Sequence, residues 1–175
     1  MNKLNRLLII GLTVGLHGGM MLLPNAVRAQ TLIDNFGDWS AFTDGKAKAK
    51  TCYIASVPKK ETGKYKSRGN TYILVTHRPA EKSRDVFELR AGYVYRKDSE
   101  VVVNIDGQVY KLFTDRGTAW AHDPKADRSI SRMMIRGKSM IVTGFSGRGT
   151  KTEDTYSLSG FTAAYKAIGK ACGVK

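Results

Sequence analysis

The stretch that decides the fold class is Val101–Phe113, which reads VVVNIDGQVYKLF. Asp106 and Gly107 are a residue pair that a type I′ turn favours, because both central positions of that turn need positive φ. With these two residues in the loop, the predicted cross-strand partners are Ile105 with Gln108, Val103 with Tyr110, and Val101 with Leu112. All of these except Gln108 are apolar or aromatic and share one face, so the sequence predicts an antiparallel hairpin with a buried side.

Segments before and after this hairpin continue the β pattern. Apolar, aromatic and β-branched residues dominate four earlier segments, and a glycine-rich connection joins two later ones. The predicted strands are Phe36–Phe42, Thr51–Val57, Asn70–Arg78 and Val86–Tyr95, and a second predicted hairpin joins Ser139–Phe145 to Thr152–Ser159.

Two segments have helical spacing instead. Asp127–Arg136 begins with a capping Asp and carries apolar residues on one side. In the C-terminal segment, Ser159 is the predicted N-cap and Gly173 the predicted C-terminal cap. Its apolar residues recur at helical intervals, at Phe161, Ala164, Tyr165, Ile168 and Cys172. The predicted fold is therefore mainly β, a β-sandwich of antiparallel hairpins with a short internal helix and a C-terminal helix.

The N-terminal segment has the pattern of an export signal. Lys3 and Arg6 precede the apolar run Leu7–Leu16, and Val27–Ala29 resembles a signal-peptidase site. An uncleaved anchor is disfavoured because a spanning helix needs roughly 20 apolar residues. We therefore expect residues 1–29 to be a signal peptide and residues 30–175 a single β domain without a transmembrane helix. The expected location is the periplasm, the outer membrane surface or the medium.

The two cysteines, Cys52 and Cys172, are expected to form a disulfide, since an exported domain folds in an oxidising compartment. The competing interpretation is a catalytic thiol, which usually belongs to a local motif such as C-x-x-C. Neither cysteine has such a motif.

Positive charge is concentrated in one stretch. The chain carries a net charge of +14, and loss of Lys3, Arg6 and Arg28 with the signal peptide leaves +11. Between residues 46 and 68 there are eight bases and one acid, Glu61. The candidate anionic-ligand patch comprises Lys46, Lys48, Lys50, Lys59, Lys60, Lys64, Lys66 and Arg68. Export disfavours nucleic acid as the partner. Lipid headgroups, lipopolysaccharide or acidic glycans are the expected anionic partners, and a protein partner is the alternative.

The glycine-rich segment 144–152, GFSGRGTKT, does not fit two catalytic motifs that it superficially suggests. A phosphate-binding loop needs lysine directly after its second glycine, where Thr150 stands. A serine-hydrolase elbow needs glycine two places after Ser146, where Arg148 stands. The segment is predicted to be a hairpin loop, and Arg148 and Lys151 make it a candidate contact loop.

His77 and His122 have no metal ligand at a diagnostic spacing, so no metal, cofactor or catalytic residue is predicted. The expected function is non-enzymatic binding. An envelope hydrolase with a site assembled from separate loops, and a structural or chaperone-like protein that binds partners at a sheet edge, are the alternatives.

Several short motifs spread over the mature chain point to one family. They are FGDW at 36–39, CY at 52–53, VTHRP at 75–79, IDG at 105–107, AWA at 119–121, GRGT at 147–150, YSLSGFTAA at 156–164 and AC at 171–172. Together they resemble the invasion-associated locus B family of exported bacterial proteins. The resemblance implies a periplasmic, surface-associated or secreted protein linked with host-cell invasion, and it carries over no catalytic residue. A second cysteine that family members often have soon after the Trp is missing here, which leaves Cys52 as the N-terminal partner of Cys172.

Overall fold

The computed structural model of the protein describes residues 30–46 and 49–174. The predicted signal peptide, residues 1–29, and Lys48 of the predicted patch lie outside the described residues.

The described residues form a mainly antiparallel β fold with two helices, as the sequence predicts. One sheet contains eleven strands in the spatial order β1-β2-β3-β5-β6-β9-β8-β7-β10-β11-β4. The strands are β1 Thr31–Phe36, β2 Trp39–Asp44, β3 Thr51–Ser56, β4 Lys60–Gly63, β5 Tyr72–Arg78, β6 Ser83–Arg90, β7 Glu100–Ile105, β8 Gln108–Asp115, β9 Thr118–Trp120, β10 Ser139–Phe145 and β11 Lys151–Ser157. The helices are α1 Pro124–Arg136 and α2 Phe161–Cys172.

The central hairpin β7–β8 has the predicted register. Ile105 pairs with Gln108, and the two further predicted pairs follow along the ladder. Asp106 and Gly107 have φ values of 46° and 96°, which is the type I′ geometry. The predicted inner face is buried at Val101, Val103, Ile105 and Leu112, while Tyr110 is half-buried.

The strand predictions were wrong at two places. Phe36–Phe42 is two strands, because the chain turns at Gly37 and Asp38, and Gly37 has a φ of 57° that favours glycine. Val86–Tyr95 also ends early, since β6 stops at Arg90 and the chain then turns at Gly92. The second predicted hairpin is confirmed as β10–β11.

Both helix starts differ from the prediction. Helix α1 begins at Pro124, and its cap is Asp123, whose carboxylate accepts the N–H groups of Lys125 and Ala126. Asp127 instead faces inward, where it accepts a hydrogen bond from Phe87 N–H. Helix α2 is preceded by Gly160 in the left-handed region, so Ser159 does not cap it, whereas the predicted C-terminal cap Gly173 is confirmed.

The sheet curves around one core until strands near its two ends meet. Asp38 N–H donates to the Ser159 carbonyl, and the Trp39 indole N–H donates to the Ser157 carbonyl at 3.0 Å. Trp39 packs edge-on against Phe161 of α2, with ring centroids 4.9 Å apart. The sandwich expected from the sequence is therefore one continuous sheet folded over its own core, with α2 packed on β2 and β3.

A disulfide joins that helix to the sheet, as predicted. Cys52 on β3 is bonded to Cys172 at the end of α2, and 120 residues separate them in sequence. Within residues 30–46 and 49–174, no helix is long and apolar enough to cross a membrane.

Candidate functional site

Two loops that are distant in sequence converge on one concave surface. The loop after β4 supplies Lys64 and Lys66, the β10–β11 connection supplies Arg148, and β11 begins with Lys151. A pocket of about 530 Å³ lies between the loops, and a second concavity of about 620 Å³ shares Lys64, Arg148 and Thr150 with it. We call this surface, defined by Lys64, Lys66, Arg148 and Lys151, the basic pocket.

The charged side chains of the basic pocket all have the same sign. The four defining residues are exposed, and none of them forms an ion pair with another residue of the described ranges. Four cations around a concavity create a positive potential that attracts anions from solution. The predicted contact loop and part of the predicted patch thus belong to one surface.

The inner wall of this pocket is built around Arg68, whose role differs from that predicted. Its side chain is 3% exposed and donates two hydrogen bonds of 2.6 Å to the carboxylate of Asp154 on β11. Burial alone would lower the pKa of Arg68, but the hydrogen bonds and the charge of Asp154 outweigh burial and raise it. Arg68 is therefore a buried partner of Asp154, which fixes the loop after β4 to the sheet, rather than an exposed member of the patch.

Aromatic side chains stand beside the cations. The Arg68 guanidinium lies 5.7 Å from the ring centre of Tyr65 and 5.1 Å from that of Tyr93. The Tyr93 hydroxyl is 2.6 Å from Thr152 Oγ1, which holds this ring against β11. Val94, on the pocket rim, is 64% exposed.

A glycine pair brings the supporting loops together. Gly69 N–H donates to the Gly92 carbonyl at 2.9 Å, and Gly92 has a φ of 71°. A Cβ on Gly92 would lie within the contact distance of the Gly69 backbone, so a side chain there would force the loops apart.

The comparison with protein families agrees with the resemblance seen in the sequence. The family model described as invasion associated locus B (IalB) protein matches residues 39–169. This chain belongs to that family. Its description associates the family with invasion. Comparisons with curated proteins and with solved structures found no significant match.

The matched range includes both loops of the basic pocket, but the rest of the predicted patch is dispersed. Lys46 is exposed in the loop after β2, and Lys60 is exposed on β4. Lys59 pairs with Asp38 at 2.8 Å, and it lowers the pKa of that carboxyl by a hydrogen bond. Lys50 Nζ donates to the Ala171 carbonyl near the end of α2, where a cation is favourable. Proximity in sequence therefore did not produce one continuous patch.

Neither histidine of the family domain lines the basic pocket. His77 is fully buried, and its Nδ1 accepts a hydrogen bond from Asp85 N–H at 3.1 Å. Burial lowers the pKa of His77. His122 is exposed beside Phe113, with Nε2 4.0 Å from Glu100. Because His77 has no accessible surface, it does not contact solvent or a substrate in this structure.

The described residues contain no group of three or more His, Cys, Asp or Glu side chains placed to hold a metal ion.

Strand β1 lies at one end of the sheet and exposes Leu32 and Ile33. Partner recognition at a sheet edge stays a prediction.

Sequence reasoning missed the residues that shape the pocket between its cations. Tyr65 lies inside the predicted patch, but alternation of aromatic and basic residues in KYKSR was the only local signal for it. Tyr93 and Asp154 come from segments 25 and 86 residues beyond Arg68, and only the folded sheet brings them there.

Proposed function

We propose that this protein is an exported, non-enzymatic protein of the bacterial envelope, and that it binds an anionic surface component through the basic pocket. The observation that carries the proposal is the convergence of Lys64, Lys66, Arg148 and Lys151 around two adjoining concavities. Their charges are not neutralised by acids of the described residues, so they remain available to an anion. Membership of the invasion-associated family supports a role at the cell surface, including association with host cells.

The pocket supports binding better than catalysis. Among the described residues that line it, the charged ones are bases, and the hydroxyl groups of Ser67, Ser146 and Thr150 have no histidine beside them in the lining. In a hydrolase the nucleophilic hydroxyl is held within hydrogen-bond reach of its base. Among the described residues, no lysine, histidine or carboxylate side chain is hydrogen-bonded to these three hydroxyl groups. The arrangement is suited to holding an anion in place.

The test is binding to vesicles that contain phosphatidylglycerol, and to purified lipopolysaccharide, as ionic strength rises. Between about 0.01 M and about 1 M salt the Debye length falls from about 30 Å to about 3 Å. We expect binding to weaken steeply across this range. Replacement of all four defining residues by Gln should abolish the salt-sensitive component.

A matched control carries the same change in net charge on another surface. Lys125, Arg132, Arg136 and Lys166 are exposed on the two helices, and their joint replacement by Gln also removes four charges. This control should retain most of the binding. Equal losses in the two quadruple variants would mean that net charge, and not the basic pocket, attracts the anion.

Export is tested separately by fractionating the native cells and measuring the mass of the mature chain. The proposal expects an N-terminus at Gln30 and recovery outside the cytoplasm. Recovery of the full-length chain from the cytoplasm would contradict it.

A further inference from the structure

The basic pocket has features that a flat anionic surface does not use. The concavity that Lys64, Lys66 and Arg148 line has a volume of about 530 Å³, within the roughly 300–1,000 Å³ of small-ligand sites. A planar membrane contacts protruding side chains, whereas a discrete chemical group enters a concavity. The shape therefore favours a ligand that inserts one unit between the two loops.

Apolar surface lies directly beside the four cations. Tyr65 is 37% exposed and Val94 is 64% exposed, and both line the pocket. Apolar surface beside cations in a concavity matches a ligand that has both apolar and charged parts. A pyranose ring is such a ligand, because it has faces of C–H groups and a rim of hydroxyls.

The pocket also offers partners for that rim and for a charge. Ser67, Ser146 and Thr150 provide hydroxyl groups that both donate and accept hydrogen bonds. Lys64, Lys66 and Arg148 provide donors for charge-assisted hydrogen bonds to an anionic substituent. A sugar with a negative charge is a ligand that uses all three kinds of group.

The aromatic wall is held in place before any ligand arrives. Arg68 contacts the ring faces of Tyr65 and Tyr93, and its hydrogen bonds to Asp154 leave it fixed. A site whose side chains are already ordered loses less conformational entropy on binding. Arg68 thus acts as a positioning residue for the pocket wall.

We propose that the basic pocket binds a single pyranose unit bearing an anionic group, with the sugar ring against Tyr65 and Val94 and the charge at Lys64, Lys66 and Arg148. This inference rests on the proposed function, and it names the ligand class for the same pocket. A phosphorylated sugar and a uronic acid share this chemistry.

Calorimetric titration of the mature protein tests the proposal with four defined probes. Glucose 1-phosphate and glucuronic acid represent the two sources of an anionic pyranose. Glucose has the ring without the charge, and inorganic phosphate has the charge without the ring. We expect at least one anionic sugar to bind about tenfold more tightly than both glucose and phosphate, since ring contacts and charge act together. Equal affinity for that sugar and phosphate would overturn the proposal.

Variants of Tyr65 give an independent test. Tyr65→Ala should weaken binding of the anionic sugar about tenfold, while Tyr65→Phe, which keeps the ring, should retain it. A Tyr65→Ala variant with unchanged sugar affinity would contradict the ring contact.

The outcomes separate this inference from the proposed function. If vesicles or lipopolysaccharide bind through the four cations but no anionic sugar binds, the sugar assignment fails and the proposed function stands. If replacing the four cations leaves vesicle and lipopolysaccharide binding unchanged, the proposed function itself fails.

Discussion

The disulfide region and the basic pocket both bury a carboxylate inside the same sheet, yet they expose very different surfaces. In the disulfide region, defined by Cys52, Cys172, His77, Asp85 and Tyr165, the Tyr165 hydroxyl donates to buried Asp85 at 2.5 Å beside fully buried His77. In the basic pocket, buried Asp154 binds Arg68, and exposed cations stand around that pair. Buried ionisable groups alone therefore do not mark a ligand site. The exposed cations, which stand around only one of the two carboxylates, are the feature on which the proposed ligand site rests.

The largest expected effect is loss of the disulfide. In the chain-entropy model a 100-residue loop is worth about 4.7 kcal/mol, and this bridge spans 120 residues. The double variant Cys52→Ala/Cys172→Ala should therefore lower the free energy of unfolding by about 5 kcal/mol. Urea unfolding of the oxidised protein and of the variant measures this difference. A loss below about 1 kcal/mol would show that contacts of α2 with β2 and β3, not the bridge, hold the disulfide region.

The next largest effect is expected below the basic pocket. Asp154→Ala removes both short hydrogen bonds from the buried Arg68 guanidinium to a carboxylate and leaves Glu61, at 3.6 Å, as its acidic partner, which should cost about 3 kcal/mol of unfolding free energy. The double variant Arg68→Met/Asp154→Leu removes both charges and should recover most of that loss. Urea unfolding of the three proteins checks this. If the double variant were as unstable as the single one, packing and not the unpaired charge would be responsible.

The Cys52–Cys172 and Arg68–Asp154 pairs show which long-range contacts can be predicted from the sequence and which cannot. Cys52 and Cys172 were predictable partners because two cysteines allow one intramolecular bridge, and the β7–β8 hairpin was predictable because its turn and its register are local. The Arg68–Asp154 pair had no local signal, since 86 residues separate the two and charged residues are abundant. Gly37 and Asp38 were placed within a strand because apolar residues surround them, although backbone geometry at Gly37 forms a turn.

For the same reason, the sequence predicted the residues of the basic pocket only in part and did not predict that they lie together. Sequence proximity grouped Lys46 and Lys50 with Lys64, whereas the fold carries Lys50 to the end of α2. The later loop with Arg148 was proposed only as a separate contact. Its position opposite Lys64 depends on β4 pairing with β11, which no local pattern predicts.

A smaller effect, on how the free energy of unfolding varies with pH, is expected beside the disulfide region. Burial of Asp127, near Asp85, raises its pKa from 3.8 to about 6, although the Phe87 N–H bond opposes this. The folded state therefore holds this proton more tightly than the unfolded chain, and stability from this group is lost as pH rises from about 4 to about 6. The shift corresponds to at most about 3 kcal/mol.

Asp127→Asn isolates that contribution, because the lowered pKa of His77 acts in the opposite direction in both proteins. The variant should gain stability relative to the unsubstituted protein between about pH 4 and about pH 7. Urea unfolding at a series of pH values provides the measurement. Parallel stability curves for the two proteins would contradict the raised pKa.

The smallest effect on stability is expected at the pocket surface. Lys64→Gln should change the unfolding free energy by less than about 0.5 kcal/mol, since the side chain is exposed. It should nevertheless weaken vesicle binding about fivefold, because one cation near an anionic surface contributes about 1 kcal/mol. Lys166→Gln, on α2, is the matched control. The contrast between the two regions would fail if Lys64→Gln unfolded the protein and left vesicle binding intact.

The position of β4 has a consequence for the time at which the pocket can form. This strand lies between β3 and β5 in the sequence, but its neighbour in the sheet is β11, about 90 residues later. Pairing between such distant segments is slow, because a long loop must close before its contacts form. A chain that emerges N-terminus first therefore has its early strands available long before the pocket is complete. The basic pocket is assembled only when the C-terminal third of the chain is present, so nascent or truncated forms lack it.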